Sequence, residues 1–272
     1  MIRKTWWLRV LAFLVLAPVL SAAVFASHLY VTQESLLFPG TKLPDDYRFD
    51  FDLPFEEITI PVDGAELNAL HFRQENPRGL VFFLHGNGGN LQSWTSNIRY
   101  YQQVNYDMFM LDYRGYGKSS GEIESEAQMH ADVRAAWDRV AAEYDGKPIV
   151  IYGRSLGSAV ATKLAADVDP ALLILVSPFS SVVAMAKQEY PYLPASLVRY
   201  PFRTDELIGK VKSPIIFVHG TDDRLIPLSH SELLLERATA PSELLVIDGA
   251  GHSDIHRYES YTEGLTAALP GG

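Results

Sequence analysis

The segment Pro148-Ile149-Val150-Ile151-Tyr152-Gly153-Arg154-Ser155-Leu156-Gly157 joins a short apolar run to a small-residue stretch with Leu156, Ala159, Val160 and Leu164 at helical spacing. The run Ile149-Val150-Ile151 does not alternate in polarity, as expected of a strand covered by helices on both faces. The join reads Gly-x-Ser-x-Gly, the pattern of a sharp strand-to-helix turn that holds a serine in a strained conformation with its hydroxyl exposed. The flanking glycines remove side chains that would collide with neighbouring backbone. Ser155 is therefore the candidate nucleophile. A second match, Gly117-Lys118-Ser119-Ser120-Gly121, lacks that context, because it follows no apolar run directly and precedes the acidic stretch Glu122 to Glu126. Ser119 reads as a loop serine.

Outward from Ser155, the runs Val81-Phe82-Phe83-Leu84 and Leu172-Leu173-Ile174-Leu175-Val176 repeat the same unbroken apolar pattern. The patterning predicts strands at Glu57 to Pro61, Leu67 to Phe72, Leu80 to His85, Asp107 to Asp112, Pro148 to Gly153, Leu172 to Ser177, Ile215 to His219 and Leu244 to Ile247. Amphipathic stretches fall between most of them, such as Ala127 to Ala142 with Val133, Trp137, Val140 and Ala141 on one side. That alternation predicts an α/β protein with a doubly wound, mostly parallel, eight-stranded sheet. The longest irregular stretch, Pro178 to Ser213 with Pro191, Pro194 and Pro201, predicts a lid. It carries Phe179, Tyr190, Tyr192, Leu193, Leu197, Val198, Tyr200 and Phe202, which either pack the lid onto the body or line an acyl pocket. Its basic residues Lys187, Arg199, Arg203, Lys210 and Lys212 outnumber Glu189, Asp205 and Glu206. They form either a site for an anionic head group or a solvated face.

A serine hydroxyl needs a base within hydrogen-bond reach and a carboxylate that sets the tautomer of that base. On a sheet of this kind the order along the chain is Ser, acid, His. Two stretches lie past late strands, where sites form: Gly220-Thr221-Asp222-Asp223-Arg224, and Asp248-Gly249-Ala250-Gly251-His252-Ser253-Asp254. Of the eight histidines, His252 alone follows a late strand by a short glycine-containing loop, which makes it the candidate base. His85 and His219 end strands and read as structural. His252 and His256 sit four apart, but no third ligand with matching spacing accompanies them, so no metal and no cofactor is expected. Acyl transfer also needs backbone N–H donors for the developing oxyanion. Leu156 supplies one, and the loop His85-Gly86-Asn87-Gly88-Gly89-Asn90 supplies the other at Asn87. That loop fails as a dinucleotide cradle, since Leu91 stands where a third small residue is required.

The chain has 272 residues, 47% of them hydrophobic and 21% charged, and no cysteine, which excludes disorder and a disulfide framework. Its net charge of −10 disfavours nucleic acid as a partner. The charge is uneven. Residues 1–30 carry Arg3, Lys4 and Arg9 with no acidic residue, leaving −13 on the rest. From Val10 to Ala26 no charge occurs, and Trp6 to Tyr30 spans 25 residues with aromatic residues at both ends, enough to cross a bilayer. Residues 1–30 are therefore read as a membrane anchor, with the N-terminus cytoplasmic and residues 31–272 exported. A cleaved signal peptide ending at Val24-Phe25-Ala26 is the alternative, disfavoured because the apolar run exceeds the usual length of such a segment. Nothing in the sequence marks an oligomer interface.

With Ser155, His252 and the His85-Gly86-Asn87 loop in place, the chain resembles the α/β-hydrolases, in particular their small membrane-anchored members. The resemblance runs from about Leu36 to the C-terminus. It is carried also by Gln33-Glu34-Ser35-Leu36-Leu37-Phe38-Pro39, Asp112-Tyr113-Arg114-Gly115-Tyr116-Gly117 and His219-Gly220-Thr221-Asp222-Asp223. It implies the α/β-hydrolase fold and places the acid of the triad at Asp223, with Asp222 in reserve. It further implies serine hydrolase chemistry on acyl esters or thioesters, lipids included, and leaves the substrate open. A peptidase on the same triad and a catalytically silent, membrane-tethered binding protein are the rival readings.

Overall fold

The computed structural model describes residues 2–271; the side chains of residues 2–5 and of Leu8, with the basic Arg3 and Lys4 among them, lie outside the described residues. The apolar runs become β1 (Phe55–Val62), β2 (Ala65–Phe72), β3 (Leu80–Leu84), β4 (Asp107–Leu111), β5 (Ile149–Arg154), β6 (Leu172–Val176), β7 (Ile215–Gly220) and β8 (Ser242–Ile247). They form one eight-stranded sheet in the order β1-β2-β4-β3-β5-β6-β7-β8. The pairs β1–β2 and β2–β4 are antiparallel, and every other neighbouring pair is parallel.

Burial follows from position in the sheet. Strands β3, β4 and β6 are buried along their whole length, whereas β1, at the edge, buries only Ile58 and Ile60. Successive residues face opposite layers: Phe82 meets Trp137 on one side, ring centres 5.5 Å apart, and Phe83 meets Tyr152 on the other at 5.0 Å. Trp137 lies on α3 (Glu126–Ala141), which buries Met129, Val133, Ala136, Trp137 and Val140 at helical spacing. Ser125 caps this helix, its hydroxyl accepting the Gln128 N–H at 3.1 Å. The other helices are α1 (Ile2–Leu37), α2 (Ile98–Gln103), α4 (Leu156–Val168), α5 (Val182–Glu189), α6 (Thr204–Leu207), α7 (Ser229–Arg237) and α8 (Glu259–Ala268).

After β3 the chain turns to β4 on one side, and β5 then pairs with β3 on the other. The loops leaving the carboxyl ends of β3 and β5 therefore lie side by side, the usual place for a site in an open sheet.

Two expectations need correction. The stretch 178–213 is not irregular: it contains α5, α6 and helical turns at Ala195–Leu197 and Ile208–Lys210. The apolar N-terminal helix does not stop near Tyr30 but runs on to Leu37. Nothing in 31–37 breaks a helix, since the first proline beyond the apolar run is Pro39. Among the described residues, Arg9–Leu37 is the one helix segment long and apolar enough to cross a membrane.

Candidate active site

At the end of β5 the backbone of Ser155 takes φ 52° and ψ −119°, a conformation that costs a non-glycine residue about 1–3 kcal/mol. The turn is held on both sides. Its N–H donates to Val176 O at 2.9 Å, and its carbonyl accepts the Ser158 N–H at 2.9 Å and the Ser158 hydroxyl at 2.6 Å. The glycines on either side are there for close approach. A Cβ on Gly153 would stand 2.5 Å from Ala161 Cβ, and one on Gly157 would stand 2.1 Å from Leu84 O. Helix α4 thus lies against the end of β3, with the Leu156 N–H in its first turn, where backbone donors have no partner within the helix.

His252 enters from the loop after β8. Gly249 turns it at φ 73°, and the Gly251 N–H donates to Asp254 Oδ1 at 2.8 Å. The Arg154 guanidinium donates to the His252 carbonyl at 2.9 Å and stands over the Trp94 ring at 5.3 Å. His252 Nε2 then lies 3.1 Å from Ser155 Oγ, and Nδ1 lies 2.7 Å from Asp223 Oδ2. A carboxylate only accepts, so Nδ1 carries the proton and Nε2 is left as the acceptor for the serine hydroxyl.

Asp223 follows β7 and is fully buried at its side chain. Its Oδ1 accepts the N–H groups of Leu225 at 3.0 Å and Ile226 at 2.8 Å. Burial by itself pushes its carboxyl up. Hydrogen bonds from His219, His252 and the Ile226 N–H outweigh it and hold the group well below the usual carboxylate range. His219 is buried; its Nε2–H faces Ile226 O at 2.8 Å and Asp223 Oδ2 at 3.5 Å, while Nδ1 accepts from Ser231 Oγ at 2.7 Å. Asp222 is exposed and makes no side-chain contact with His252.

The loop 85–90 passes directly by Ser155, since a Cβ on Gly86 would lie 3.5 Å from Ser155 Cβ. Three of its carbonyls are tied down by aromatic side chains. Tyr116 OH donates to Asn87 O at 2.7 Å, Tyr113 OH to His85 O at 2.9 Å, and Trp94 Nε1–H to Gly88 O at 2.7 Å. Asp112, buried beneath, accepts the Leu91 N–H at 3.1 Å. The motif Asp112-Tyr113-Arg114-Gly115-Tyr116-Gly117 is thus the buttress of this loop, a role its spacing did not reveal. Arg154 also went unread, because only the fold brings it under the histidine loop.

Ser119 is buried, donates to Asp112 O and accepts the Asn68 N–H, both at 2.8 Å, with no imidazole at hand. Among the described residues no group of three or more His, Cys, Asp or Glu side chains gathers as a metal site. A polar cleft of about 440 Å³ lined by Asp45, Glu57, Thr59, Glu66, Leu67, Asn68 and Lys118 lies on the β1–β2 side and shares no residue with this site.

Residues 75–200 match the family model described as "Serine aminopeptidase, S33". Alpha/beta hydrolase domain-containing protein 17B of Xenopus tropicalis and of Homo sapiens are each 36% identical over 193 residues, covering 70% of this chain and 66% of theirs. The chain belongs to the α/β-hydrolase superfamily. It spans just under two thirds of the length of those relatives. Among solved α/β folds it is similar to an esterase of Pyrococcus furiosus, with a TM-score of 0.68 at 19% identity over 84% of this chain and 97% of that one. A soluble variant of monoglyceride lipase from Saccharomyces cerevisiae aligns with a TM-score of 0.64 at 18% identity, over 83% of this chain and 95% of that one. At such identity the likeness is one of fold, and the chemistry has to be argued from the residues of this α/β-hydrolase itself.

Proposed function

We propose that the protein is a serine hydrolase that cleaves carboxylic ester or thioester bonds of acyl substrates, lipids among them. The carrying observation is the run of hydrogen-bond distances from Ser155 Oγ through His252 to Asp223, 3.1 Å and 2.7 Å. In this reading Ser155 Oγ attacks the carbonyl carbon while His252 Nε2 takes its proton. Asp223, ionised across the neutral range, holds the Nδ1–H and stabilises the imidazolium. The N–H groups of Asn87 and Leu156 receive the oxyanion. The tetrahedral adduct collapses as His252 protonates the leaving alcohol or thiol, and an acyl-Ser155 ester remains. Water, deprotonated by His252, attacks that ester; the carboxylic acid leaves and the proton returns to Ser155.

The length and apolar composition of α1 support a single-pass anchor, and Arg3, Lys4 and Arg9 at the start of the chain support a cytoplasmic N-terminus with the catalytic body exported. The stretch 178–213 serves as the lid. Its two arginines do not favour head-group recognition, since Arg203 pairs with Asp205 and Glu206 at 2.8 Å each, and Arg199 pairs with Glu34 at 2.6 Å. Peptide cleavage is the second reading, favoured by the description of the matching family model.

A fluorophosphonate probe on the purified chain tests the proposal. Labelling of wild type and Ser119→Ala but not of Ser155→Ala is the expected result. A folded wild type that takes no label overturns it in favour of a silent binding protein. Turnover of aminoacyl p-nitroanilides with none of p-nitrophenyl esters would move the assignment to peptidase.

A further inference from the structure

Within the motif Gln33-Glu34-Ser35-Leu36-Leu37, which takes no part in the chemistry, the side chains of Gln33 and Glu34 both reach one segment of the lid. The Gln33 amide pairs with the backbone on both sides of Val198: Nε2 donates to Leu197 O and Oε1 accepts the Arg199 N–H, both at 2.8 Å. Glu34 accepts the Tyr200 hydroxyl at 2.9 Å and forms an ion pair with the Arg199 guanidinium at 2.6 Å. The Arg199 guanidinium also stands over the rings of Tyr30 and Tyr200 at 5.5 Å from each centre. One turn and more further up, Phe25 meets Tyr190 edge to face at 5.9 Å. Half-burial at Ala26, Leu29, Gln33 and Leu37 gives the helix one stripe against the body. The last three turns of α1 are therefore a joint with the lid and do not hang free.

That joint fixes the height of the lid. Ahead of it, Trp6, Leu11, Leu14, Leu20 and Val24 are exposed, and the stretch from Trp6 to Phe25 extends about 30 Å, the thickness of a hydrocarbon core. The membrane boundary then falls near Phe25, level with Tyr190. Around it the lid presents Tyr190-Pro191-Tyr192-Leu193, with Tyr192 97% exposed, and Lys187 exposed on the last turn of α5. Exposed tyrosines with a lysine close by are the chemistry of a lipid head-group layer, the exposed Glu189 between them leaving the patch without net charge.

We infer that the lid tip 190–193 is a membrane-docking surface, held at the lipid–water interface by the Gln33–Glu34–Arg199 joint, so that the lid, which leaves β6 just past the Val176 carbonyl that holds Ser155, faces the bilayer. Acyl substrates resident in that leaflet are then the class it admits. The inference rests on the reading of α1 as a membrane anchor.

The chain has no cysteine, so one introduced thiol reports cleanly. Full-length Tyr192→Cys and Asp145→Cys, each carrying an environment-sensitive nitrobenzoxadiazole dye, are reconstituted in phosphatidylcholine vesicles containing head-group-proximal nitroxide lipid. Asp145 lies exposed in the loop before β5, at the amino ends of the strands. Dye at 192 should be quenched at least about twofold more than dye at 145, as expected for a group at the interface. Adding Gln33→Ala or Arg199→Ala should erase that difference while flotation with the vesicles persists. A chain that floats but shows equal quenching at 192 and 145 overturns the docking surface and leaves the anchor standing. A chain that does not float overturns both. Neither outcome depends on turnover.

Discussion

The carboxyl edge of the sheet and the lid are built to different tolerances. At the edge, Ser155, Asp223 and His252 leave β5, β7 and β8 on short turns, and the backbones touch closely enough that Gly157 has no room for a Cβ. In the lid, α5 buries no residue fully, and the segment is pinned by the buried Phe179, Tyr200 and Phe202 and by the polar joint to α1. On the proposed reading, chemistry that needs sub-ångström alignment sits where packing leaves no slack. On the same reading access belongs to α5 and the tip 190–193, where no side chain is fully buried and local opening is cheap.

The comparison breaks first at the proposed triad. Asp223→Asn leaves the shape of the site but favours the wrong histidine tautomer, so kcat on p-nitrophenyl butyrate should fall by about 10⁴-fold. A loss of less than tenfold would remove Asp223 from the mechanism. Gly157→Ala probes the packing limit directly. With Leu84 O at 2.1 Å from the new methyl, urea unfolding should show a loss of about 3 kcal/mol or more. An unchanged midpoint would mean that α4 can move off the sheet.

A third test reads the buried scaffold by pH. His71 is fully buried; desolvation first, then the charge of Arg73, lowers its pKa to about 4. Its Nε2–H donates to Tyr144 OH, which in turn donates to Asp107, and a proton on Nδ1 would find no acceptor. The unfolded chain binds this proton near pH 6.5 and the folded one only near 4. Stability is therefore fully present above pH 6.5 and falls as pH drops toward 4, by about 3 kcal/mol from this group. Tm measured across that window should decline, and His71→Gln should flatten the slope. The smallest effect belongs to the lid tip: Tyr192→Ser should change the unfolding free energy by less than about 0.5 kcal/mol, because the side chain touches almost nothing. A larger loss would show that the tip is part of the packed body.

The inner strands β3, β4 and β6 were legible because strands covered on both faces are apolar without interruption, as in Val81-Phe82-Phe83-Leu84, whereas the edge strand β1 shows instead the alternation of a half-buried strand. Ser155 was legible because its turn demands glycine on both sides. The Asp222 and Asp223 pair was not separable from residue types alone. Asp223 faces His252 and His219 while Asp222 is exposed, and that is a matter of one residue's rotation in a turn.

What the sequence determined by itself is whatever depends on local periodicity and steric demand: the α/β class, the strand positions, the strained serine and the apolar N-terminal helix. What only the tertiary structure decided is whatever depends on contacts distant along the chain. Arg154 under the His252 loop, Tyr113 and Tyr116 behind the loop 85–90, and Gln33 clamped to Leu197 and Arg199 are all such contacts. A side chain's type limits which hydrogen bonds it can make, but its partner is set by the closure of a sheet whose strands lie far apart in sequence.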